Sequence, residues 1–277
     1  MQPLSHSKRR FYLYGLAVLF FAAVPLVLLY ATGYRYRGEF GVVRTGGIFI
    51  SIPYSNAVVS LDGAEVGTTG LLNHDFYVGD LAPGAYRLSI VREGSHAWER
   101  TLVVESNLVT TASAFLIADK PVIVRLTTAT TSDPASRTIR AEEEKMYRAV
   151  FSASATTTAS GAAEEQDGEG VFIEQGDVVL RWMRENVPLP SQYCGRPSYC
   201  IEEISIERGS EVSTRAAFYA GGILYRTREG GVFIAEADVR PTPVSLALYP
   251  KKGADFAIVG GVLIVKDGTA LYAVEGL

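Results

Sequence analysis

Between Arg10 and Arg35 the chain runs for 24 residues, Phe11 to Tyr34, without a charge (FYLYGLAVLFFAAVPLVLLYATGY). As a helix rising 1.5 Å per residue this segment is roughly 36 Å long, against a hydrocarbon core of about 30 Å, so it is long enough to cross a bilayer. Twelve of its residues are Leu, Phe or Val. Each contributes roughly −0.3 to −0.6 kcal/mol on the insertion scale, a gross gain of about 4–7 kcal/mol. Gly15 and Pro25 reduce this little, because proline kinks a lipid-facing helix without destroying it. Aromatic rings gather at both ends (Phe11, Tyr12, Tyr14; Tyr30, Tyr34, Tyr36), where amphipathic rings meet the headgroups. Lys8, Arg9 and Arg10 with the terminal amine outweigh Arg35 and Arg37, which orients the N-terminus toward the cytoplasm. The expectation is a short cytoplasmic tail (1–10), a transmembrane helix (11–34) and about 240 residues on the far side of the plasma membrane. Ala31 and Gly33 would suit a signal peptidase, but a signal-peptide apolar region is usually only about 7–15 residues, so an uncleaved single-pass anchor is expected.

Charge supports the same division. All five basic residues before position 38 flank the apolar stretch, leaving 21 basic and 30 acidic residues beyond it. An acidic remainder without basic clusters argues against nucleic acid as a partner. Two cysteines and three histidines exclude disulfide-dense scaffolds and zinc clusters built from several Cys and His, and no metal or cofactor is expected.

After Tyr36 short alternating apolar runs are separated by Gly, Pro, Asn and Asp, the pattern of an antiparallel all-β unit. Strands are expected over Gly47–Ile52, Asn56–Leu61, Asp75–Val78, Gly84–Arg92, Trp98–Val104 and Ala112–Ile117. Asp62-Gly63 reads as a two-residue hairpin turn and Pro83-Gly84 as a second turn. Tyr86, Leu88, Ile90 and Leu102, Val104 form period-two inward sets, with Trp98 covering one end of the core. A surface aromatic platform for stacking sugars is the alternative use of these rings.

Read in order, Pro53, Asp62-Gly63, Val66-Gly67-Thr68, Leu81-x-Pro83-Gly84-x-Tyr86 and Gly94 resemble the turn motif of the PEGA family over about residues 46–118. Asn56 and Thr69 stand where that family commonly has Gly and Pro. The resemblance implies a small β-sandwich of the kind found in bacterial and archaeal surface proteins, acting in envelope attachment or binding rather than in catalysis.

Residues 127–136 (TTATTSDPAS) and 152–170 (SASATTTASGAAEEQDGEG) hold too little apolar surface to offset chain entropy, so 127–170 is expected to be a flexible linker. Within it a short helix is expected over 137–151, with Ile139, Met146 and Val150 at helical spacing and a Glu144–Arg148 pair. From 171 to 277 a second all-β region contains an internal repeat. GGILYRTREGGVFIAEAD (Gly221 to Asp238) parallels GGVLIVKDGTALYAVEG (Gly260 to Gly276) at an offset of 39. Val171 to Trp182 reads as a third, divergent hairpin. Hairpin repeats near 40 residues are similar to β-propeller blades of the WD40 kind. Two or three of them make an incomplete propeller, a small stacked-sheet unit, or one that closes against another chain.

Cys194 and Cys200 enclose Gly-Arg-Pro-Ser-Tyr, and outside the cytoplasm a local disulfide is expected. Val187 to Pro190 with Gln192 and Tyr193 read as either a binding edge or a plain loop. No P-loop, dinucleotide fingerprint, His-Glu-x-x-His, Gly-x-Ser-x-Gly or Ser-x-x-Lys motif occurs, so no catalytic residue is assigned. His74-Asp75 with Asp80 or Asp62 is the best catalytic constellation on offer, in a loop that more simply reads as a solvated turn. Glu142 to Glu144 and Glu202-Glu203 read as solvated runs. The expected function is therefore binding or scaffolding at the cell envelope, with a cell-wall or surface polysaccharide or an envelope protein as partner. The alternatives are a membrane-tethered carbohydrate-active enzyme, which needs two carboxyls in one cleft, and a sensory or assembly subunit.

Overall fold

The computed structural model describes the whole chain except residues 1–5, 39–40, 71–72, 131, 155–163, 208–212, 228 and 242. Helix α1 (His6–Ala31) carries Pro25 inside it, and no part of its long apolar stretch is buried against the rest of the chain. It begins before the expected boundary, taking in residues 6–10, while residues 1–5 of the expected tail lie outside the described residues. It also stops short of Tyr34. Thr32 turns its hydroxyl back onto the Leu28 carbonyl at 2.8 Å, and Gly33 adopts φ +82°, a left-handed stop that glycine accepts without a Cβ clash. Tyr34 instead opens strand β1 (Tyr34–Arg37), which pairs antiparallel with β2 (Gly41–Arg44).

The first β-unit contains β3 (Gly46–Ser51), β4 (Ala57–Leu61), β5 (Ala64–Thr68), β6 (Asp75–Leu81), β7 (Gly84–Arg92), β8 (Trp98–Val104) and β9 (Val109–Ser113). They form a three-stranded sheet, β6-β3-β9, and a four-stranded sheet, β5-β4-β7-β8. In β8, Trp98, Arg100, Leu102 and Val104 are buried while Glu99 and Thr101 are exposed, the period of two that a strand imposes. Ile48, Ile50, Val59, Leu88, Ile90 and Leu102 are wholly buried in the common core, each worth roughly 1.5–3 kcal/mol of transfer free energy. One expected strand moves. Ala112–Ile117 is replaced by Val109–Ser113, because Ala114 to Ile117, although buried, serve as packing between units rather than as ladder.

The second β-unit begins earlier than residue 171 and takes in part of the expected linker. Strand β10 (Val122–Thr127) is followed by β11 (Ser136–Thr138) and helix α2 (Ala141–Ser154). Asp133 accepts the Ala135 amide at 3.0 Å and the Ser136 hydroxyl at 2.9 Å, so this stretch is an ordered turn rather than the expected flexible chain. α2 starts four residues later than expected because 136–138 pair in parallel with β10. Its anchor is Phe151, buried against Ala257, Ile264 and Leu271 with Tyr147 and Val150 half-buried beside it, whereas Met146 is 49% exposed. Residues 155–163 of the expected linker lie outside the described residues.

Three sheets follow, antiparallel throughout except for the β10–β11 pair. The first consists of β12 (Glu164–Gln166), β13 (Glu169–Glu174), β14 (Asp177–Trp182) and β17 (Glu203–Glu207), with the small hairpin β15 (Cys194–Arg196) and β16 (Tyr199–Cys200) inserted before its last strand. The second consists of β18 (Ser213–Tyr219), β19 (Gly222–Thr227), β20 (Gly231–Ala235) and β21 (Ser245–Tyr249). The third joins β22 (Asp255–Val259), β23 (Val262–Asp267) and β24 (Ala270–Glu275) to β10 and β11. β12 and β13, β18 and β19, and β22 and β23 each meet at a two-residue turn in which both residues have positive φ: Asp167-Gly168, Ala220-Gly221 and Gly260-Gly261. This turn matches the right-handed twist of the strands it joins. The recurrence read at an offset of 39 thus corresponds to equivalent hairpins in equivalent sheets.

Candidate functional site

The two β-units share one core, which runs from Ile48 and Leu102 to Leu224, Ile234 and Leu263. Their junction holds a set of buried charges. Trp98, expected at one end of the first unit's core, is wholly buried at this junction. Its indole N–H donates to Glu236 Oε1 at 2.9 Å. Two residues along β8, the Arg100 guanidinium donates to the other oxygen of the same carboxylate, which also accepts the Val244 amide at 3.3 Å. Arg100 is 3% exposed and Glu236 5%. Burial lowers the Arg100 pKa from its ordinary value, while the Asp238 charge acts in the opposite sense. Asp238 and Arg240, 4% and 3% exposed, form a second pair with Nε to Oδ1 at 2.8 Å and Nη2 to Oδ2 at 2.5 Å. Arg240 Nη1 reaches across to the Thr111 carbonyl at 3.1 Å. At a second contact point, Glu105 accepts both the amide and the hydroxyl of Ser198, at 2.9 and 2.7 Å.

Beside these pairs lies a cavity of about 490 Å³. The first unit contributes Tyr54 and Ser113, and the second contributes Glu169, Gln192, Tyr219 and the Asp238–Arg240 pair. The Asp167 and Ala220-Gly221 turns of the first two sheets also line it. Gly222, next along, has no room for a side chain: a Cβ there would meet the Phe115 ring at 2.5 Å and the Ala235 carbonyl at 2.7 Å. This glycine therefore sets how closely the units approach. Gln192 Nε2 donates to Glu169 Oε1 at 2.7 Å. Burial pushes the Glu169 pKa above the ordinary carboxylate value. Burial and the neighbouring Glu169 push the Tyr193 phenol well above its own.

The residues singled out from sequence are scattered rather than brought together. Asp62 (φ 49°) and Gly63 (φ 81°) form the β4–β5 turn, and Asp62 Oδ1 accepts the Arg87 amide at 2.7 Å. Gly67 lies under Phe76, whose ring a Cβ would meet at 2.7 Å. Tyr86 donates its hydroxyl to the Ala82 carbonyl at 2.9 Å, and Gly94 has φ 74°. Gly84 has no positive φ; the left-handed residue before Pro83-Gly84 is Asp80, at φ 58°. Pro53 is exposed at the cavity mouth. Asp80 pairs with Arg35 at 3.0 Å, so Asp62 and Asp80 serve separate partners, and His74 offers its carbonyl to the Ile52 amide. Glu203 and Glu144 pair with Arg181 and Arg148. Tyr193 is wholly buried instead of standing at an exposed edge; of that segment Gln192 faces the cavity. Cys194 and Cys200 lie opposite each other on β15 and β16 and are joined in a disulfide. Among the described residues no three His, Cys, Asp or Glu side chains converge to hold a metal.

The chain matches no protein-family model and no curated protein.

Sequence reading missed Arg100, Glu236, Asp238 and Arg240. The available signal was charge at period two next to an apolar strand, in Trp98-x-Arg100 and Glu236-x-Asp238-x-Arg240. Such spacing points one face of an extended chain at one environment, but it cannot say that this environment is another domain.

Proposed function

We propose that this chain is a single-pass membrane protein of the cell envelope, with its N-terminus in the cytoplasm and two β-units outside that bind or scaffold. The observation that carries the reading is α1, a 26-residue helix whose apolar side chains find no cover in the rest of the chain. Such a surface is stable in lipid and costly in water. Orientation is favoured by Lys8, Arg9 and Arg10, and the opposing charge is weakened because Arg35 is paired with Asp80. The Cys194–Cys200 bridge suits an oxidising compartment.

The first unit is read as PEGA-like. Two sheets and the Asp62-Gly63 turn support this, and so does Asn56, which takes φ 59° where the family has glycine. The Thr69 amide donates to the Ala57 carbonyl at 2.9 Å, which accounts for the missing proline, since proline has no N–H. The second unit is read as an incomplete propeller of three blade-like sheets, the last closed by β10. A binding role is preferred over catalysis because Glu236 and Asp238 are each held in an ion pair with arginine.

Protease and thiol accessibility on spheroplasts test the topology. The second unit is expected to be cleaved from outside, and Cys194 and Cys200 to alkylate only after reduction. Protection of the second unit in intact spheroplasts, with cleavage after lysis, overturns the reading.

A further inference from the structure

The cavity at the junction is specific enough in its chemistry to name a ligand class. Its volume of about 490 Å³ falls within the roughly 300–1,000 Å³ of small-molecule sites. Half-buried aromatic residues line it from both units, Tyr54 from the first and Tyr219 from the second. The lining also carries built polar groups: the Asp238–Arg240 pair, more than nine-tenths buried, and Glu169 with Gln192 bonded to it at 2.7 Å.

The pattern of charge decides between ligands. A cationic ligand needs a buried carboxylate whose charge is not already taken; Asp238 is held by Arg240 and Glu236 by Arg100, and burial disfavours the charged form of Glu169, which accepts from Gln192. An anionic ligand needs a guanidinium with the same freedom, but Arg240 is spent on Asp238 and the Thr111 carbonyl. Bringing an anion into this site would mean desolvating it without a dedicated counter-charge, and a cation would meet at Glu169 a carboxyl that burial already pushes toward its neutral form. What the lining does offer is dipoles, the remaining lone pairs of paired carboxylates and the Gln192 amide, set between aromatic residues. A pyranose ring presents the complementary surface, with apolar C–H faces and hydroxyls around its edge.

We propose that this cavity binds a neutral oligosaccharide, with its ring faces against Tyr54 and Tyr219 and its hydroxyls on Gln192 and Glu169. The assignment deepens the envelope-binding reading and rests on it, since that reading puts the cavity where surface polysaccharides are met. It also gives the Asp238–Arg240 pair a second role: it is polar without presenting an unmatched charge.

The test is isothermal titration of the full chain in lipid nanodiscs with chitohexaose, cellohexaose and maltohexaose, with hexalysine as the cationic competitor. At least one oligosaccharide is expected to bind and hexalysine is not. Ser113→Trp places a large ring at an exposed strand position on the cavity rim and is expected to weaken binding more than tenfold. Gln192→Ala is expected to weaken it about fivefold, with the near-ultraviolet circular dichroism of both variants unchanged. Absence of binding by all three sugars at 10 millimolar, unaltered affinity in Ser113→Trp, or binding of hexalysine alone each overturns the proposal. The spheroplast experiment reports separately on the envelope reading: an external second unit that binds no sugar removes the glycan assignment only, whereas a cytoplasmic second unit removes the premise beneath it.

Discussion

Helix α1 and the junction between the β-units invert each other. In α1, Leu, Phe and Val side chains are exposed on every side; at the junction Arg100, Glu236, Asp238 and Arg240 are almost fully buried. Each arrangement would be costly if its surroundings were of the ordinary kind. The helix is relieved by a different solvent, a bilayer that removes the penalty on apolar surface. The junction is relieved by partners, because buried charge is tolerated only where its counter-charge and hydrogen bonds are in place. Exposure alone therefore predicts neither stability nor function; what matters is which partner or solvent meets each group.

The comparison can be broken most sharply at the junction. Glu236→Leu strands Arg100 and takes away the acceptor of the Trp98 indole. It is expected to destabilise the β-body by about 3–5 kcal/mol, read from urea unfolding, with a large part recovered when Arg100→Met is added. A loss below about 1 kcal/mol would show that the pair does not clamp the units. Next comes the helix centre: Leu19→Arg is expected to cost about 2.5–3.5 kcal/mol of insertion and to move chain from membrane to soluble fractions after carbonate extraction. Unchanged partition there would mean that α1 does not cross the bilayer.

A third comparison sets covalent against ionic clamping. Opening the Cys194–Cys200 loop, seven residues counted inclusively, by Cys194→Ser with Cys200→Ser is expected to cost about 2–2.5 kcal/mol on the loop-entropy model. Reductant should lower the wild-type unfolding midpoint and leave the variant unmoved. The smallest effect is at Glu169, whose pKa is raised in the folded state by burial. A raised carboxyl binds its proton more tightly folded than unfolded, so the fold gains as pH falls through the region just above the ordinary carboxylate value and loses as pH rises through it. Glu169→Gln should flatten that part of the stability–pH profile, and an unaltered slope would count against the burial argument.

Much of the first unit was legible because its signals are short. Gly84–Arg92 and Trp98–Val104 occur with the expected bounds, since alternation over seven to nine residues reports burial of one face. The Asp62-Gly63 turn is likewise where sequence reading put it, because few residues accept its backbone angles. The expected linker was misread for the opposite reason. A helix over 137–151 is expected from its spacing, but its docking through Phe151 on β22–β24 and the pairing of Ser136–Thr138 with β10 rest on partners that composition does not reveal. The cavity was legible only in fragments, as Pro53 and Gln192, because its walls come from segments well over 100 residues apart.

What the sequence determined alone is local: an apolar rod of spanning length, strands of period two, and turns where glycine or asparagine takes positive φ. These follow from sterics and hydrophobic periodicity within a dozen residues. Only the tertiary structure decided that Val122–Leu126 closes the last sheet against Leu271–Glu275, about 150 residues on, and that Trp98 meets Glu236 across the junction. Pairings at such separation are chosen by the free energy of the whole docked surface, set against the entropy of closing the chain, and no short window of residues contains either quantity.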